Sequence, residues 1–227
     1  MQATSRSSPT VQKLLQASKK GGPLANIGVL GRLGDLARID EQYDVAVSTA
    51  CSMLDYIVVE TTLSAQKCLA FLRKQNLGRA NFIPLDKMKK GIHNHSVETP
   101  EGAPRLFDMI TPSNYDVVPA LFLAVKNTLV APDLETASRW AYEYSKRWRV
   151  VTVDGKLIEI AGTMSGGGKT VRKGGMRLTV SFTNFPVDRK INGMVSNNRN
   201  VTFHSRIKRR NPRVPLRVLN LNKITKD

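Results

Sequence analysis

Cysteine is nearly missing from this sequence. Its 227 residues include two, Cys51 and Cys68, too few for a disulfide-stapled scaffold or a four-cysteine zinc site. Long apolar runs are missing as well. The best candidate, VVPALFLAV at 117–125, falls short of the roughly 18 residues a membrane span needs. The first twenty residues hold no apolar stretch of the kind a secretory leader requires. These absences predict a soluble, intracellular protein. What is present supports a folded core: 41% of the residues are hydrophobic, and at roughly 150 residues per domain the length suggests one or two domains.

The net charge of +17 is unevenly placed. Residues 171–227 hold 14 Lys and Arg against 2 Asp and Glu, whereas 1–170 hold 21 against 16. Pro186, Pro212 and Pro215 break any long helix in the basic part. It reads as a mostly disordered extension with affinity for polyanions.

Between these limits the chain alternates. TVQKLLQASKK (10–20) has helical spacing and meets a stop at Gly21, Gly22 and Pro23. NIGVLGRLGDLARI is strand-like but interrupted by Gly28, Gly31 and Gly34. EQYDVAVSTACSML is helical, DYIVVE a buried strand, TTLSAQKCLAFLRKQN a helix capped at Thr61 or Thr62 and stopped at Gly78, and RANFIPLDKM a strand. After a loop at 89–104 the order returns. YDVVPALFLAVKN reads as helix, TLVAP as strand, DLETASRWAYEYSK as helix, and RWRVVTVDGKLIEIAG as a strand pair turning at Asp154-Gly155. A shift of 72 positions aligns Tyr43 with Tyr115, Asp44 with Asp116, Val45 with Val117, Val58 with Val130 and Ala65 with Ala137. The expectation is an α/β (α+β) fold of two pseudo-repeated helix–strand subdomains with mixed sheets, at 27–90 and 91–170.

Enzymatic motifs fail on single residues. GTMSGGGKT (162–170) ends like a phosphate-binding loop, but the glycine that motif needs at 163 is Thr163. The same threonine spoils a G-x-S-x-G nucleophile elbow around Ser165. His93 and His95 read as solvated loop residues rather than metal ligands, and Cys51 and Cys68 as small core residues. Trp140 and Trp148 beside Arg139, Lys146, Arg147 and Arg149 fit either a base-stacking patch or a core aromatic pair, the latter more often. Gly162, Gly166, Gly167 and Gly168 either let another chain approach the end of the last strand or form a linker leaving the domain.

The strings GRLGDL, YDVAVSTAC and RWRVVT, with APRLFDMI and the glycine cluster, resemble the hinge domain of structural maintenance of chromosomes (SMC) proteins over about 27–175. Within that family the similarity is greatest to the fourth type, a core condensin ATPase subunit. The resemblance implies the SMC hinge fold. It makes residues 1–26 the end of a coiled-coil arm or linker, and 171–227 a basic tail foreign to the family. It implies pairing with the hinge of the second SMC type, at an interface that includes Gly162, Gly166, Gly167 and Gly168. It also implies DNA contact at the hinge–coil junction, at Lys19, Lys20, Lys169, Arg172 and Lys173. Condensin non-SMC subunits would be reached through regions this chain lacks, and the setting would be the nucleus and chromosomes, with time in the cytoplasm. ATP and magnesium belong to the head domains of the full-length family protein. No head motif occurs in these 227 residues, so no cofactor, catalytic residue or metal is expected in this fragment. A stand-alone basic nucleic-acid-binding module is the alternative.

Overall fold

The computed structural model describes residues 7–88, 97–167 and 171–179. Along the chain lie α1 (Pro9–Ala17), β1 (Val29–Arg32), β2 (Ala37–Ile39), α2 (Asp44–Ala50), β3 (Ile57–Val59) and α3 (Thr62–Lys74). There follow β4 (Phe82–Pro84), β5 (Thr111–Pro112), α4 (Val118–Val125), β6 (Leu129–Ala131) and α5 (Leu134–Tyr142). The remaining strands are β7 (Val150–Thr152), β8 (Leu157–Ile158), β9 (Met164–Ser165) and β10 (Arg177–Leu178). Among the described residues these strands form three mixed sheets, in the orders β1-β3-β4, β10-β2-β5 and β6-β7-β8-β9. An α/β fold with mixed sheets is what the sequence led us to expect.

Besides β10·β2, two strand pairs that each lie within one half, β3·β4 and β6·β7, are parallel. Parallel neighbours need a crossover element rather than a tight turn, and α3 and α5 supply it. In α3, Ala65, Cys68 and Leu72 form a buried stripe at helical spacing. The helix starts where Thr61 Oγ1 accepts the Ser64 N–H at 3.1 Å. It stops at Asn76, which turns left-handed (φ 50°) and lets the Leu77 N–H reach the Leu72 carbonyl at 3.1 Å. The stop thus falls two residues before Gly78, because a left-handed asparagine serves the purpose a glycine usually serves.

The spacing of 72 is structural. β3 and β6 are separated by it, and so are the caps of the helices that follow: Asp133 accepts the Thr136 N–H at 2.7 Å as Thr61 accepts that of Ser64. A second correspondence, offset by 73, precedes each strand. Arg32-Leu33-Gly34-Asp35 and Arg105-Leu106-Phe107-Asp108 each close an i,i+3 ion pair, at 3.2 and 2.7 Å. Arg32 lies opposite Ile57 and Arg105 opposite Leu129. β2 and β5, which come next, pair antiparallel with Arg38 opposite Thr111, so the halves meet through equivalent strands.

Leu33, Ile39, Val47 and Val58 from the first half form one buried cluster with Leu106, Val117, Leu121, Val130 and Val151 from the second. The other face of each parallel pair is covered separately. In the first half, α1 lays Val11 and Leu14 against Ile57 and Val59. In the second, no helix among the described residues takes the place of α1; Trp140 and Trp148 fill that volume beside Leu129, Ala131 and Val150. Burial on both faces explains why β3 and β6 are continuous apolar runs rather than alternating ones.

The basic extension begins later than the sequence suggested. Met176 is buried in the shared core, and Arg177–Leu178 pair parallel with Arg38–Ile39 of β2. Charge counting missed this, because two arginines and a lysine flank one buried methionine and a stretch of main chain that finds its partners in the first half. The rest of the expected extension, from Val180 onward, lies outside the described residues.

Candidate functional site

The last three strands of the β6-β7-β8-β9 sheet form a meander whose final strand is short and edge-exposed. The turn between β7 and β8 is where the sequence put it. Gly155 (φ 91°) donates its N–H to the Thr152 carbonyl at 3.0 Å, and a methyl group there would lie 2.9 Å from Val45 Cγ1 of α2. β8 then reaches Glu159, whose N–H donates to the Thr163 carbonyl at 2.9 Å. Gly162 (φ 92°) completes the connecting turn, its N–H donated to Glu159 at 2.8 Å and its carbonyl accepting the Tyr142 hydroxyl at 2.9 Å.

Arg149 anchors the base of this edge. Arg149 holds both carboxylate oxygens of Glu159, each at 2.8 Å. The same guanidinium donates to the Ala50 carbonyl at 2.8 Å and to Thr128 Oγ1 at 3.2 Å. One side chain therefore ties the base of the edge hairpin to α2 in the opposite half. Those hydrogen bonds and the positive charge of Arg149 hold the Glu159 carboxyl below its ordinary pKa. Ile160 and Met164 stand 58% and 50% exposed on this rigid support. Exposed apolar side chains beside the outer edge of a strand paired on one side are the surface a second chain can cover.

Of the glycines singled out in the sequence, Gly162 lies in the turn before β9, and Gly166 and Gly167 follow it. A methyl group at Gly166 would come within 2.9 Å of the Lys156 Cγ, while space around Gly167 is open. Gly168 lies outside the described residues. The sequence places these glycines at the end of the last strand; β9 in fact sits among them. Met164-Ser165 is too short to carry a period. The residues that fix the edge, Arg149, Glu159 and Tyr142, are each far from it in sequence or unremarkable in type.

The basic residues expected at the junction do not share one element. Lys19 and Lys20 are exposed just after α1, which packs on one face of the β1-β3-β4 sheet. Arg172 and Lys173 are exposed just before Met176, which packs with the cluster on the other face. Lys169 lies outside the described residues, as do His93 and His95. Trp140 and Trp148 are buried, so the base-stacking patch does not exist; Lys146 lies over the Trp148 ring at 4.0 Å. Cys51 and Cys68 are buried, and desolvation pushes both thiols up to about 11, so they are core residues and not nucleophiles. Thr163 leads directly into β9, which contains Ser165 and is not followed by a helix among the described residues, so no nucleophile elbow forms there; Gly168, Lys169 and Thr170 of the phosphate-loop reading lie outside the described residues.

At the same C-terminal end of α5, Glu101 receives the Arg139 guanidinium at 2.9 and 3.0 Å and the Tyr144 hydroxyl at 3.1 Å. Arg139 foremost holds the Glu101 carboxyl down at about 2. A depressed carboxylate stabilises the fold above its unfolded pKa, and that contribution fades as pH falls through the folded one. Glu101→Gln is therefore expected to lower the thermal midpoint at pH 6 and to lose its effect between about 4.5 and about 2. Scanning calorimetry across that range checks it; an unchanged gap at low pH would show that the pair does not couple to folding.

Known proteins carry the same architecture. Residues 26–141 match the sequence model of the SMC proteins Flexible Hinge Domain. Structural maintenance of chromosomes protein 4 of Xenopus laevis is 49% identical over 181 residues, which are 78% of this chain and 14% of that protein. The chain thus spans about one seventh of the length of that relative. The Pyrococcus furiosus SMC hinge domain superposes with a TM-score of 0.56 at 27% identity, over 80% of this chain and 90% of that one. An asymmetric dimer of the Geobacillus stearothermophilus SMC hinge domain gives 0.60 at 23% identity, over 85% and 74%, a likeness of fold alone. With its parallel crossovers, its repeated arginine–aspartate pairs and a sequence match across half its length, the chain belongs to the hinge-domain family of SMC proteins.

Proposed function

We propose that this chain is the dimerisation module of a condensin SMC subunit and pairs through the β9 edge with the hinge of a second-type SMC subunit. The observation that carries this reading is the edge itself: a two-residue strand, paired on one side, flanked by Gly162, Gly166 and Gly167 and by exposed Ile160 and Met164. A strand with free main-chain groups is satisfied by an added strand, and neighbouring glycines let that strand come close. The strand β4 is an edge of the mixed β1-β3-β4 sheet, so two hinges can each offer a pair of edges. Gly168 completes the same rim in sequence. In the whole protein such a pair would join two arms into a ring or V-shaped ATPase that condenses and organises chromosomes. The heads would supply ATP and magnesium chemistry and the other regions would bind the non-SMC subunits; this module performs no reaction. Work on chromosomes implies residence in the nucleus, with access from the cytoplasm during part of the cell cycle.

Exposed Lys19 and Lys20 after α1 and exposed Arg172 and Lys173 before Met176 support DNA contact as a second role, which Lys169 would join by its place in the sequence. The chain's 49% identity to structural maintenance of chromosomes protein 4 of Xenopus laevis supports the assignment to that setting.

Mixing the chain with a second-type hinge and measuring mass by light scattering tests the reading. A one-to-one complex is expected at micromolar concentration, with a buried interface above about 1,000 Å². A mixture that stays monomeric would count against it. The same samples titrated with single-stranded DNA should bind with an affinity that falls steeply as salt rises; salt-independent binding would reject the basic contacts.

A further inference from the structure

Three buried polar side chains in the first half converge on main-chain atoms of a segment more than a hundred residues away. The Gly174 N–H donates to both carboxylate oxygens of Asp44, at 2.8 and 2.9 Å. The Gly175 N–H donates to Ser48 Oγ at 3.0 Å, and the Gly175 carbonyl accepts from Arg32 Nη2 at 2.9 Å. Arg32 is 4% exposed and is itself fixed, by Asp55 at 2.8 Å and Asp35 at 3.2 Å. Asp44 and Ser48 are also buried, and the Ser48 hydroxyl donates to Asp44 at 3.2 Å.

Shape enforces the same contact. A methyl group on Gly34 would lie 2.1 Å from the Gly175 carbonyl oxygen. Beyond the glycines, Met176 enters the shared core, β10 extends β2 in parallel, and the Thr179 N–H donates to the Ile39 carbonyl at 2.8 Å. The repeat does not explain this device. Arg105, the counterpart of Arg32, reaches Asp108 and Asn127 and bonds no such segment among the described residues.

We propose that Arg32, Asp44, Ser48 and the outer edge of β2 form a peptide-binding groove that reads main chain. Residues 174–179 fill it in cis and act as a releasable clasp. The recognition is by glycine main chain and one apolar anchor, Met176, so the groove takes a Gly-Gly-apolar peptide. Tethering gives the segment a local concentration on the order of millimolar, so a weak intrinsic affinity keeps the groove closed. A two-residue parallel strand with one buried side chain is also the kind of unit that opens locally without unfolding the rest. The clasp does not depend on the pairing proposed above.

Two single variants separate its sides. Met176→Asp removes the apolar anchor and leaves the groove intact; Gly34→Ala fills the groove where the Gly175 carbonyl sits. In both, hydrogen exchange of the amides in 174–179 is expected to accelerate at least tenfold while β3, β6 and β7 keep their protection. A labelled peptide with the sequence of residues 172–179, titrated to about 1 mM, should then bind the Met176→Asp chain saturably. It should not bind the Gly34→Ala chain or the unaltered one. Unchanged exchange in Gly34→Ala would show that these contacts do not hold the segment. Accelerated exchange in Met176→Asp without peptide binding would show that the groove is no independent site. If Met176→Asp exposes the strands as well, Gly175→Val takes its place. Should that variant also lose the whole fold, the segment is part of the core and not a clasp, and the proposal fails.

Discussion

A proline in place of Met164 is expected to abolish pairing with a second hinge while the fold survives. The Thr163 carbonyl faces β8, where it accepts the Glu159 N–H. Successive residues of a strand alternate the direction of their main-chain groups, so the N–H and carbonyl of Met164 face away from β8. Proline deletes that outward donor and is tolerated on an edge strand, where no ladder hydrogen bond is lost. It also removes a side chain that is half exposed in the free chain. The expected loss is at least a hundredfold in affinity, about 2.8 kcal/mol, by calorimetric titration with the partner hinge. The thermal midpoint of the free chain should move by no more than a few degrees. Alanines at Gly166, Gly167 and Gly168 should act in the same direction, through side chains that hold the incoming strand away. Pairing that survives Met164→Pro at full strength would place the partner elsewhere and leave the family membership untouched.

Leu33→Ala and Leu106→Ala are each expected to cost about 3–5 kcal/mol of stability, the range for deleting a fully buried leucine into a rigid core. Both side chains have no exposed surface and both belong to the cluster shared by the halves. They occupy equivalent positions, each following the arginine of its repeat and preceding the strand of the central β2·β5 pair. Single cooperative urea transitions with similar midpoints in the two variants would show that the halves unfold as one unit. A loss below about 1 kcal/mol in either, or two separate transitions, would mean that the cluster is not continuous across the seam.

Much of this fold was legible in the residues because much of it is local. The start of α3 depends on a threonine and an N–H three residues on. The β7–β8 turn depends on Gly155 and on partners within four residues. β3 and β6 are apolar throughout because both their faces are covered. The 72-residue repeat was visible wherever strand, cap and helix keep their spacing. Its arginine–aspartate part escaped, because it is offset by 73 and a rigid shift slides past it.

The candidate edge was only half visible. Glycines announced a place of close approach, but β9 is two residues long, and a strand that short exists only through the neighbour that pairs with it. The tryptophans were ambiguous for a related reason: their burial depends on which elements cover the second sheet, and α1 covers only the first. Residues 171–179 were misread because their partners are remote. Arg32 and Gly175 are separated by 143 positions, and nothing in the local pattern of either calls for the other. Composition and short-range hydrogen bonding determined where helices and strands begin and end. Which edges stay open and which main chain is held was decided by the tertiary structure, because buried donors and acceptors must find partners wherever the folded chain brings them.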